Sequence, residues 1–169
     1  KQYGAKVPFI RPADIAEDTT VTYDVIIHAI NFYKEKDIIF DYVILLQPTS
    51  PLRTLEDINN AIKLIDENTK AVISVCKAEH SPIWSNILPS DFSMKNFLEP
   101  NLRNLRSQDL PIYYRLNGAI YVAKIDYLLE NEGFFGSNTT AYIMDQKRSV
   151  DIDTKIDYEL CKLLLNENN

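Results

Sequence analysis

The run Ser149-Val-Asp-Ile-Asp-Thr-Lys-Ile-Asp157 sets two carboxylates, Asp151 and Asp153, one residue apart. On extended backbone, side chains two positions apart project to the same side. Two carboxylates held side by side repel unless a cation lies between them. A hard divalent ion that prefers oxygen ligands, Mg²⁺ or Mn²⁺, is the natural partner. A helix start explains the same residues, with one aspartate as cap and the other solvated. The spacing alone leaves both readings open. Asp157, four residues after Asp153, could help or lie on the surface.

Two further stretches carry polar groups suited to a ligand. In "LLQPTSPLRT" (45–54) an apolar run stops at Gln47, and two prolines then prevent helix or sheet from continuing. The Gln47 amide can donate and accept at once, which suits a sugar hydroxyl or a carboxylate. Arg53 either meets an anion or pins the loop, and Thr54 is a helix-cap candidate. In "RSQDLPIYYRLNGAIY" (106–121), Arg106 and Arg115 flank a proline turn. Guanidinium groups bind carboxylates and phosphates in bidentate fashion, though ordinary ion pairing accounts for them equally. Asn117-Gly118 allows close approach of backbone to a ligand.

Other chemistries lack their residues. His28 sits among apolar helical neighbours and reads as structural; His80 follows a strand end without a second His or Cys. Cys76 and Cys161 stand far apart and read as buried free thiols, with no zinc-binding spacing. There is no G-x-S-x-G elbow, Walker loop or G-x-G-x-x-G.

The elements that must hold these residues follow from periodicity. Apolar positions Val25, Ile26, Ala29, Ile30 and Phe32-Tyr33 predict a helix from Val21 to about Lys36, capped by Asp18, Thr19 or Thr20. Near-continuous apolar runs over 41–47 and 71–78 predict strands buried on both faces. Between them, 55–68 reads as a helix with Ile58, Ala61, Ile62, Leu64 and Ile65 inward. This βαβ order predicts a parallel sheet. Residues 79–115 are proline-broken and irregular. A strand over 117–125, a short helix over 126–131, a strand over 139–145 and a closing helix follow. Asp153 or Thr154 caps that last helix, with Leu160, Leu163 and Leu164 inward. The expectation is one α/β domain over 1–169, with 79–115 as an insertion. Ligands of such folds bind beyond the carboxyl ends of the strands, which points to the loops after residues 47, 76 and 149.

Composition bounds the rest. A net charge of −6 over 169 residues argues against a general nucleic-acid binder. No apolar run approaches the roughly 20 residues needed to cross a bilayer. No signal peptide opens the sequence, so the expected compartment is cytoplasm.

Taken in order, "VPFIRPADIAED", "LLQPTSPLRT" with its following Glu-Asp, "RSQDLP", "NGAIY" and "SVDID" resemble the acylneuraminate cytidylyltransferases, or CMP-sialic acid synthetases. The resemblance runs through nearly all of the chain. Its motifs are specific as a set and weak singly. It implies a Rossmann-like, mostly parallel sheet of the nucleotide-diphospho-sugar transferase type. It implies transfer of CMP from CTP to a nine-carbon acidic sugar (sialic, legionaminic or pseudaminic acid) with release of pyrophosphate. Asp151 and Asp153 would bind the catalytic Mg²⁺ (or Mn²⁺). Gln47, Arg106, Gln108, Arg115, Asn117 and Tyr121 would contact the sugar, with Phe134 and Phe135 as an apolar wall. Arg11 and Thr22 fall where the family meets the nucleotide. Similar enzymes are homodimers that exchange an element in the irregular middle segment.

The sequence also departs from that pattern. The family opens with a first strand and a loop resembling "ARGGSKG" that cradles the triphosphate. The four glycines here are Gly4, Gly118, Gly133 and Gly136, and only "GFFG" clusters any of them. The expectation is therefore of a chain that begins after the first βα units, with an exposed sheet edge and apolar surface. A Kdo-type or other sugar nucleotidyltransferase, and a non-catalytic dimerisation module, stay open beside the main reading.

Overall fold

The computed structural model describes residues 2–167. Four strands form one sheet in the order β1-β3-β2-β4: β1 (Tyr42–Leu45), β2 (Ala71–Lys77), β3 (Tyr114–Lys124) and β4 (Thr139–Met144). β2 and β4 pair in parallel, while β3 lies antiparallel to both β1 and β2. Three strands therefore point one way, as the βαβ pattern predicts. The difference is that β3 is inserted between β1 and β2, so the two do not pair directly. The architecture is the expected Rossmann-like α/β class, with a mixed sheet.

Helices α1 (Thr22–Lys34) and α3 (Ile125–Glu130) cover one face of the sheet, and α2 (Leu55–Lys63) covers the other. Ile26 of α1 packs with Ala71, Ile73, Ala123, Tyr127, Leu128 and Phe134. Ala61 of α2 packs with Val72, Ile120, Val122 and Met144. β2 is buried on both faces, as its unbroken apolar run requires. β1 is not: Tyr42 and Ile44 are 47% and 40% exposed, because β1 is an edge strand with one face uncovered.

Helix ends differ from the sequence expectation in physical detail. Val21 takes the N-cap position of α1 without a side-chain bond, so Asp18, Thr19 and Thr20 do not cap it. α2 stops at Lys63, short of 68, and Ile62 and Leu64 are exposed instead of inward. Its start is well closed. Thr54 accepts from the Asp57 backbone N–H at 3.1 Å, and Asp57 accepts from the Thr54 N–H at 2.9 Å. Such a capping box contributes about 1 kcal/mol. In the last helix, α4 (Lys155–Glu167), Cys161 and Leu164 face inward, while Leu160 and Leu163 are exposed.

Residues 79–113 contain only three short 3-10 turns, at Pro82–Trp84, Pro100–Leu102 and Ser107–Asp109. Both cysteines are buried and unpaired, as expected. His28 packs edge-on against Phe9, with ring centroids 5.0 Å apart. Among the described residues, no helix is long and apolar enough to cross a membrane.

Candidate active site

The site begins with an irregularity in β3. Ile73 pairs with Tyr121, but Val75 pairs with Leu116, so residues 117–120 of β3 face the single residue Ser74. Side chains replace the missing ladder bonds. Ser74 donates to Asn117 Oδ1 at 2.6 Å and accepts from the Ile120 N–H at 2.8 Å. Asn117 Oδ1 also accepts from the Ala119 N–H at 3.2 Å. Bulges of this kind re-aim the chain. Here the bulge turns Gly118 toward the loops beyond β1 and β4, with φ of +69°. A Cβ on Gly118 would lie 2.5 Å from Gln47 Oε1, 3.1 Å from Ser50 Oγ and 3.3 Å from Asp151 Oδ2. Glycine is thus required twice, by its backbone angle and by the lack of room.

The loops on either side of Gly118 are tied together. Ser50, fully buried, donates to the Asn117 carbonyl at 3.0 Å, and its hydroxyl lies 3.4 Å from Asp151 Oδ1. The Ile152 N–H donates to the Thr49 carbonyl at 2.8 Å. Arg53 donates to the carbonyls of Gln47 and Ser50, at 2.7 and 2.6 Å, so it pins its own loop. Beneath lies a small apolar core. Leu52, Val150, Ile152, Cys161 and Leu164 pack there, drawing the proline loop, the Asp-x-Asp segment and α4 onto one another. Ile152 packs into this core, while Asp151 and Asp153 line a cleft that Val150 and Leu164 also line.

That cleft, of about 690 Å³, is lined by Glu79, Arg115, Gln146, Asp151, Asp153 and Asp157 among others. Arg115 holds Glu79 through two bonds, Nε to Oε2 at 2.9 Å and Nη2 to Oε1 at 2.7 Å. This pairing lowers the Glu79 carboxyl and raises the Arg115 guanidinium relative to their ordinary values. Tyr121 is pushed up by burial and, secondarily, by the Asp151 charge. Asp157 is occupied otherwise. Its Oδ2 accepts from the Thr154 N–H and hydroxyl, each at 2.7 Å, and from the Asp153 N–H at 3.2 Å. It therefore closes the first turn of α4, and the Thr154 bonds lower its carboxyl.

Among the described residues, no group of three or more His, Cys, Asp or Glu side chains gathers for a metal ion. Mg²⁺ commonly takes one or two carboxylates and completes its octahedron with water and phosphate oxygens. The two carboxylates on one open cleft fit that donor set and do not form an all-protein cage.

The residues singled out in the sequence fall into groups. Gln47, Arg115, Asp151 and Asp153 gather at the carboxyl-end edge of β1, β2 and β4. Asn117 is behind them. It is 1% exposed, and its amide is spent on Ser74, Ala119, Ser149 at 2.9 Å and the Met144 sulfur at 3.3 Å. Tyr121 packs on Phe134, with centroids 5.3 Å apart. Phe134 is buried in the core, whereas Phe135 is 62% exposed. Gln108 lines a second cleft with His80 and Trp84, which meets the first at Glu79. Arg106 is exposed and held bidentately by Asp109 at 2.8 and 3.0 Å. Arg11 is exposed before α1, and Thr22 is the first residue of α1; neither lines the Asp151 cleft. The "GFFG" turn precedes β4, and Gly136 backs onto the Tyr127 hydroxyl, which makes it a packing turn.

Ser50, Ser74, Glu79, Asp57, Arg148 and Ser149 escaped the sequence reading. Only Asp57 left a signal, as the capping-box partner three residues after Thr54.

No family model matches the chain. Curated proteins do. The chain is similar to CMP-N,N'-diacetyllegionaminic acid synthase of Legionella pneumophila, 36% identical over 99% of this chain and 72% of that protein. It is 32% identical to the N-acylneuraminate cytidylyltransferase of Escherichia coli O18:K1:H7, over 100% of this chain and 39% of that protein. It is 28% identical to a pseudaminic acid cytidylyltransferase of Campylobacter jejuni, over 99% of this chain and 72% of that protein.

Proposed function

This chain belongs to the family of cytidylyltransferases that make CMP-activated nonulosonic acids, and from that premise we propose that it transfers CMP from CTP to a nine-carbon acidic sugar, releasing pyrophosphate. The observation that supports this reading most is the convergence of Gln47, Gly118, Arg115 and Asp151 at one edge of the sheet. Asp151 joins the two groups: it lies beside Gly118 and Gln47, and with Asp153 and Arg115 it lines the cleft.

In this reading the anomeric oxygen of the sugar attacks the α-phosphorus of CTP. The bond from that phosphorus to the pyrophosphate oxygen breaks, and the hydroxyl proton passes to solvent water. Asp151 and Asp153 would hold Mg²⁺, whose charge offsets that of the triphosphate. The protein's own work is positioning. Gly118 leaves room for the Gln47 amide, which in this reading meets a sugar hydroxyl. Arg115 receives the sugar carboxylate in place of Glu79, which it already grips in the same bidentate geometry. The buried Ser50 braces Asp151 from behind. The expected site of action is the cytoplasm, where CTP is available.

We further propose a homodimer formed through residues 79–113. The support is apolar surface on that segment: Ile87, Phe92 and Met94 are 90%, 75% and 60% exposed. Isolated exposed apolar residues are ordinary, but this many on one irregular segment are not.

The test of the activity is a pyrophosphate-release assay with CTP, Mg²⁺ and a panel of nonulosonic acids, repeated with Asp153→Asn. Release that depends on the acid and falls by about 10²-fold in the variant is expected, the usual scale for losing one transition-state electrostatic partner. Release that survives the substitution would remove Asp153 from the metal site.

A further inference from the structure

Asp57 is an acidic side chain that is 2% exposed, on a helix whose other inward residues are apolar. Burying a carboxylate is costly unless it is paired and hydrogen-bonded. Asp57 is fully engaged. It accepts from the Thr54 N–H and hydroxyl at 2.9 and 2.8 Å, from Arg148 Nε and Nη2 at 2.9 and 3.1 Å, and from the Tyr142 hydroxyl at 3.2 Å. The Thr54 bonds belong to its own helix. The Arg148 bonds reach another part of the chain, 91 positions away.

What lies next to each partner gives the pair its meaning. Thr54 ends the loop that carries Gln47 and Ser50. Arg148 ends the 3-10 turn Gln146–Arg148, and Asp151 follows three residues later. Between Arg148 and Asp151, the Ser149 hydroxyl donates to the Asp145 carbonyl at 2.7 Å and accepts from Asn117 at 2.9 Å. The two loops then meet again in front, through Ile152 N–H to Thr49 and Ser50 to Asp151. A bidentate Arg–carboxylate pair fixes distance and direction at once. We propose that the Asp57–Arg148 pair is a positioning clamp that sets the spacing of Asp151 from Gln47 and Ser50 around Gly118. It rests on the proposed cytidylyl transfer only for the purpose of that spacing. The spacing itself can be measured without turnover.

A helix cap alone would account for the Thr54 bonds, so the test separates capping from clamping. The readout is amide hydrogen exchange at Ile152, measured by NMR on the whole chain, with Val72 and Val122 of the central strands as references. Arg148→Met keeps the capping box and should speed Ile152 exchange by about tenfold or more relative to those strands. Thr54→Ala keeps the Arg148 pair and should leave that ratio unchanged. If Arg148→Met lowers protection everywhere, Arg148→Lys, which keeps the charge and loses the fork, decides by the same ratio. An unchanged Ile152 ratio in the arginine variants, or equal loosening in Thr54→Ala, overturns the clamp. Exchange that behaves as expected in a chain that forms no CMP-sugar leaves the clamp standing and removes the functional reading instead.

Discussion

Gly118 is the residue with the least freedom to change. Its φ of +69° strains any L-residue by about 1–2 kcal/mol, and an added methyl group would press on the Gln47 amide. Gly118→Ala is therefore expected to lower the melting temperature and to raise the KM for the sugar more than it lowers kcat, because Gln47 is the group displaced. A variant with unchanged sugar KM would show that Gln47 is not a sugar contact. Arg115 gives a complementary prediction. Charge-assisted hydrogen bonds contribute about 1.5–3 kcal/mol, so Arg115→Met should raise the sugar KM by roughly 10- to 100-fold. Glu79→Gln, which removes the internal competitor for the guanidinium, should lower it. If both variants leave KM unchanged, the pair serves the fold alone.

At the scale of elements, the loops around the site depend on α2 and the turn before Asp151, and this dependence is sensitive to pH. Burial alone would raise the Asp57 carboxyl, but hydrogen bonds from Arg148 and Thr54 outweigh it and leave it below the ordinary range. A carboxyl lowered in the folded state stabilises the fold above its unfolded pKa, and that stabilisation is lost as pH falls through the folded value. Removing one partner of a buried pair costs about 3–5 kcal/mol, and less here because Arg148 is 41% exposed. The stability gap between the parent chain and Asp57→Asn, from urea unfolding, should thus be widest near neutral pH and narrow below about pH 4. A gap that stays constant into acid would contradict the ion pair. The elements themselves were legible in the sequence. Apolar runs placed β1, β2 and β4, and Asp-x-Asp and Gln47 were found from residue type and spacing. The insertion of antiparallel β3 between β1 and β2 was not legible, because strand order depends on long-range pairing that local periodicity does not carry. The Asn117 bulge, the Ser50 brace and the Arg148 partner stayed hidden for the same reason. Each joins residues scores of positions apart, and each uses ordinary polar side chains with no spacing to mark them. The phase of α4 was misread because three leucines lie close together and Cys161 takes one of the inward places.

At the scale of the molecule, a net charge of −6 and a small mixed sheet leave several apolar surfaces in contact with water. The proposed dimer would cover the one on residues 79–113. Light scattering should give twice the chain mass, and Phe92→Asp with Met94→Lys should return it to one. A monomer in the parent chain would contradict the dimer without touching the chemistry. The chemistry itself is tested most directly by mass spectrometry of the products formed from CTP, Mg²⁺ and each of N-acetylneuraminic, legionaminic and pseudaminic acid. A CMP-linked sugar from at least one of these acids, equal in amount to the pyrophosphate released and lost in Asp151→Asn, is the predicted result. No CMP-sugar from any of them, or one formed equally well by the Asp151 variant, would contradict it.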